Sequence, residues 1–137
     1  MPENWKRYFL DSNRFSAQFP EKPKATDIQS SIDYEAHNKT GSIFVVICHA
    51  PPADPNWMKG MHATVASSGK IIAEKNSDFF GTTALDTRVR LPDKTERFML
   101  FVQYKGRYCT AGAELVQDAE ETQAARFIQS FRPEPTP

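Results

Sequence analysis

The sequence predicts an α+β domain: a mostly antiparallel β-sheet of about six to seven strands, flanked by helices on both faces. Three patterns lead to it. Arg14 to Phe19 alternates polar and apolar residues, the period of a half-buried strand. Ser42 to His49 and Arg97 to Tyr104 carry apolar residues in both phases, as strands covered on both sides require. Two later stretches repeat apolar residues at helical spacing, so each has a stripe to lay on a sheet face.

In the first strand, Phe15, Ala17 and Phe19 fall on one side, with Arg14, Ser16 and Gln18 on the other. Pro20 and Pro23 end it, because proline donates nothing to a β-ladder. Lys24 to His37 reads as one second strand with Ile28, Ile32 and Tyr34 in phase, and Asn38-Lys39-Thr40-Gly41 as the turn after it. Ser42 to His49 then forms a central strand. Asp54 and Pro55 supply an N-cap and a first-turn proline, and Trp57, Met58, Met61 and Val65 make the stripe of a helix over residues 54–66. Gly60 weakens that helix by about 1 kcal/mol relative to alanine, so packing through Trp57 has to sustain it. Gly81, Pro92-Asp93 and Lys105-Gly106 divide Lys70 to Val116 into four strands, the last two forming a hairpin. Asp118 and Glu121 form a capping box ahead of Ala124, Phe127, Ile128 and Phe131, whose spacing marks a core-facing helix. Arg132 suits its C-terminus and Pro133 stops it, giving a single domain over residues 1–132 and a flexible proline-rich tail over 133–137.

At 137 residues and 39% apolar content, the chain can bury a core without a metal or disulfide to support it. Lys plus Arg equals Asp plus Glu at 17 each, with no basic block, so a nucleic-acid partner is not expected. The longest apolar run, Ile43 to Cys48, falls far short of the roughly 20 residues of a membrane span. Met1 to Lys6 lacks the apolar stretch of a secretory signal, so the chain as given reads as cytoplasmic, or as exported and already trimmed.

The candidate chemistry is sparse. His37, His49, His62, Cys48 and Cys109 are the soft-metal candidates, and no two have the spacing of a zinc site, so neither metal nor cofactor is expected. Cys48 and His49 are adjacent, so on a strand they point to opposite faces and cannot act as nucleophile and base. Cys48 and Cys109 each lie in a predicted strand; pairing requires those strands to be neighbours, and two buried free thiols are the simpler expectation. Asp78, Asp86, Glu96 and Glu114 read as solvated carboxylates on strand faces. Trp5, Tyr8 and Phe9 cluster outside the regular elements, as a lid over one edge of the core or a partner-binding patch. Trp57, Met58 and Met61 read first as core, and second as the lining of a ligand cleft between sheet and helix.

The opening Phe15-Ser16-Ala17-Gln18-Phe19-Pro20-Glu21-Lys22-Pro23 and the closing Arg126-Phe127-Ile128-Gln129-Ser130-Phe131 together resemble a type of small bacterial domain with the PsbP-like α/β/α sandwich. These are packing motifs, so the resemblance implies architecture foremost. It also implies a non-catalytic accessory role beside a larger complex, with no photosystem-binding residue to carry over. The leading expectation is therefore a non-enzymatic accessory or protein-binding module. A small-ligand binder using the sheet/helix cleft and a thiol-based enzyme or redox module are the alternatives.

Overall fold

The computed structural model describes residues 5–28, 31–50, 57–116 and 120–135. Along the chain run β1 (Lys6–Leu10), β2 (Phe15–Phe19), β3 (Lys24–Ile28), β4 (Ser31–His37), β5 (Ile43–His49), α1 (Trp57–Ser68), β6 (Lys70–Phe79), β7 (Thr82–Arg90), β8 (Glu96–Tyr104), β9 (Arg107–Leu115), α2 (Glu121–Ser130) and β10 (Arg132–Pro133). Seven strands form an antiparallel sheet in the order β3-β4-β5-β9-β8-β7-β6, and β1-β2-β10 form a small second sheet. The small sheet and α2 cover one face of the large sheet, and α1 packs over β6, β7 and β8 on the other. The fold is thus mostly antiparallel sheet with a helix on each face.

Residues directly opposite in an antiparallel pair share a face, so the register assigns every side chain to one side. On the first face, Phe44 lies opposite Ala113 and Val46 opposite Ala111. The small alanines leave room for α2, whose Phe127 meets Phe44 at 5.4 Å and Phe19 of β2 at 5.1 Å between ring centroids. Phe15, Phe79 and Phe131 continue this aromatic layer toward the β6–β7 turn.

Buried polar ties fix how the layers meet. Asp11 in the β1–β2 turn accepts two hydrogen bonds from Arg107, at 2.7 and 2.6 Å, and its N–H donates to the Tyr34 hydroxyl. Glu120, at the start of α2, accepts from Asn38, Thr40 and Ser42 around the β4–β5 turn. Burial works to raise its pKa, and these three donors outweigh burial and hold it below the usual glutamate value. Glu96 of β8, 3% exposed, bonds Arg88 and Arg90 of β7; those bonds, Arg88 first, hold its pKa down against burial. Glu96 is therefore not the solvated carboxylate its strand pattern implies.

Four other expectations are corrected. Lys24 to His37 is not one strand but the hairpin β3–β4, with Lys24 opposite Glu35; the reversal moves Ile28 to the face opposite Ile32 and Tyr34. Residues 6 to 10, left outside the regular elements by the sequence, form β1 against β2. The tail does not leave the domain at Pro133: Arg132 and Pro133 pair with β2 as an edge strand, which tolerates proline, and the Glu134 N–H donates to Arg14 at 2.8 Å. Arg132 accordingly belongs to that strand, not to the end of α2. In the expected capping box, Asp118 lies outside the described residues, and the Glu121 carboxylate takes hydrogen bonds from Arg88. Asp54 and Pro55 also lie outside them.

Gly69 links α1 to β6, and a Cβ there would stand 2.5 Å from the Arg90 carbonyl oxygen. Gly69→Ala is expected to cost about 1–3 kcal/mol by overpacking, and Phe127→Ala about 3–5 kcal/mol, both read by urea denaturation. Because Glu96 and Glu120 have lowered pKa values in the fold, the stability they provide is fully present above the ordinary glutamate value and is lost as pH falls from there through the lowered folded-state value. Denaturation midpoints of Glu96→Gln and Glu120→Gln should therefore lie below wild type at neutral pH and converge with it in acid.

Candidate functional site

The second face of the large sheet is only partly covered. Under α1, Trp57 and Val65 bury Val89 and Phe101. Beyond the helix, Ile43, Val45 and Ile47 of β5 are left half-buried, while Phe44, Val46 and Cys48 on the other face are fully buried. The register surrounds this row with Asp33 opposite Ile47, Glu35 opposite Val45, and Gly112 of β9 opposite Val45 on the far side. Arg97 and Met99 of β8 follow, opposite Glu114 and Gly112. Together they line a hollow of about 250 Å³. Gly112 forms part of its floor: a Cβ there would meet nothing closer than 3.6 Å, so the missing side chain leaves space rather than relieving a clash. Ile28, 52% exposed, stands on the same face at the sheet edge.

Three carboxylates and one guanidinium rim this apolar floor. Arg97 and Glu114 pair at 3.4 Å. Asp33 and Glu35 stand two residues apart on one face of β4, and Asp33 has an oxygen sealed from solvent without a hydrogen-bond partner. Burial, and then the charge of Glu35, raise the Asp33 pKa above its ordinary value. The site thus presents apolar surface beside an unsatisfied negative charge.

Of the aromatic and methionine residues singled out from sequence, Trp5, Tyr8, Phe9, Trp57 and Met61 do not line this hollow. Trp5 packs edge-on against Phe44 at 5.1 Å, with the Arg126 guanidinium over its ring, and Tyr8 packs against Phe19. Both lie at the edge of the first-face core. Trp57, only 8% exposed, fills the space between α1 and the sheet, where it meets Tyr108 at 4.9 Å, His49 at 5.5 Å and Phe101 at 6.3 Å. Met61 packs into the same cluster, and the side chain of Met58 lies outside the described residues. The large sheet separates the two groups, so they do not form one site.

The expected free thiols are a disulfide. Cys48 and Cys109 stand directly opposite in the β5–β9 ladder, with Cα atoms 4.2 Å apart, and both are fully buried. Neighbouring strands in this register bring the two sulfurs together. No thiol is thereby offered to a substrate. Among the described residues, no helix is long and apolar enough to cross a membrane, and no group of three or more His, Cys, Asp or Glu is arranged to hold a metal ion.

No sequence family and no curated protein matches the chain. Among solved structures, the solution structure of cyanobacterial PsbP (CyanoP) from Synechocystis sp. PCC 6803 aligns with 98% of this chain and 95% of its own, at a TM-score of 0.68 and 12% identity. The fold is PsbP-like. At that identity the likeness extends to the architecture alone, which is the architecture the opening and closing motifs imply.

Asp33 is expected to act against folding once ionised, since its raised folded pKa favours the protonated form. Asp33→Asn should raise the melting temperature near about pH 7 and leave it unchanged near about pH 3, below the ordinary aspartate value. Gly112→Ala, with room for its methyl group, should gain about 0.5–1 kcal/mol through the unfolded chain's lost freedom, read by the same melts.

Proposed function

We propose that this domain is a non-catalytic accessory module that binds a protein partner through the open half of its seven-stranded sheet. The observation that carries this reading is the row Ile43, Val45 and Ile47, three branched apolar side chains left half-buried on a central strand. Contiguous exposed apolar surface with a polar rim is characteristic of interaction sites. The hollow, at about 250 Å³, lies just under the roughly 300–1,000 Å³ of small-molecule sites, which favours side chains of a partner over an enclosed ligand. The PsbP-like frame, with the accessory role its resemblance implies, agrees with it. The buried Cys48–Cys109 disulfide suits folding in an oxidising compartment, and the proposal sets the partner there too.

A photo-crosslinking amino acid in place of Ile47, compared with one in place of Lys75 on the exposed edge strand β6, tests the reading in host cells. The expected result is a discrete protein adduct from position 47 and none from position 75. Adducts from position 75 alone would refute the assigned face.

A further inference from the structure

We propose that the hollow recognises a partner segment that presents an arginine or lysine beside apolar side chains, with the Asp33 carboxylate as the acceptor for the cation. This rests on the docking reading above and specifies its chemistry. Asp33, Glu35 and Glu114 set three negative charges against the single guanidinium of Arg97, and Glu114 already engages that guanidinium at 3.4 Å. The uncompensated charge is on β4. Glu35 has His37 at 4.0 Å and lies opposite Lys24 in the ladder, whereas Asp33 has neither a hydrogen-bond donor nor a paired cation among the described residues. A desolvated carboxylate in that condition is stabilised most by a charge-assisted donor brought from outside.

The floor selects how that donor arrives. Ile47 lies directly opposite Asp33, and Val45 directly opposite Glu35, so a cation at Asp33 has branched apolar side chains beside it on β5. Arginine and lysine meet both demands, with a methylene stem to lie on the apolar floor and a charged head to reach the rim. The guanidinium, planar, always charged and more weakly hydrated than an ammonium, fits best against an apolar floor. A partner segment with only apolar residues would leave Asp33 buried and unpaired, which discriminates against it.

The test uses the full chain and two peptides, acetyl-Leu-Arg-Leu-amide and the same peptide with neutral citrulline in place of arginine. Backbone amide shifts of Asp33, Val45, Ile47 and Gly112 report binding, in wild type and in Asp33→Asn, an isosteric change that removes a half-buried charge. The expected result is that the arginine peptide moves these four amides and binds at least about tenfold more tightly than the citrulline peptide, with the difference abolished in Asp33→Asn. Equal binding of both peptides at these amides would overturn the cation assignment while leaving the docking face intact. Binding of neither would also overturn it, and the crosslink from position 47 would then judge the docking face independently.

Discussion

A sheet of seven strands is about 29 Å wide at a strand spacing of about 4.8 Å, whereas α1, with 12 residues, is about 18 Å long and about 10 Å across. One such helix cannot cover one face of such a sheet. The first face avoids the problem by using two covers, α2 and the three-stranded sheet, locked together by Phe19, Phe44 and Phe127. The second face has α1 over β6, β7 and β8; among the described residues it touches β5 and β9 only at His49 and Tyr108, through Trp57, so Ile43, Val45, Ile47 and Gly112 lie beyond its cover. The hollow over Ile43, Val45 and Ile47 follows from that inequality of areas.

Much of the architecture was legible because its signals are local. Lys105-Gly106 turns with both residues at positive φ, 44° and 79°, and joins β8 to β9 as the dipeptide implies. The stripe of Ala124 and Phe127 turns inward as its spacing requires. The β3–β4 reversal was not legible, since Gln29-Ser30 offers neither glycine nor proline and the apolar phase runs on through it. The disulfide was hidden for a different reason: Cys48 and Cys109 are 61 positions apart with three strands between them, and strand adjacency is a long-range property.

The site was legible only in part. Ile43, Val45 and Ile47 were apparent as an apolar phase, but a strand rich in both phases reads as doubly covered, and sequence does not give the area of the cover. Gly112, in a strand and opposite Val45, was the available signal of a hollow. Asp33 was not legible, because an acidic residue on an alternating strand reads as solvated, and its partial burial depends on the neighbouring β5 side chains. Trp5, Tyr8 and Trp57 stand out in the sequence as large aromatics, the residues whose burial contributes most to packing.

The central claim, that half of one sheet face is open while its reverse is sealed, is tested most directly by the effect of a soluble nitroxide on methyl relaxation in the full chain. The structure predicts strong broadening of the Ile43, Val45 and Ile47 methyl signals and little change at Val46 and Val102. Equal protection of both sets would mean that the second face is covered as fully as the first, and would contradict the account.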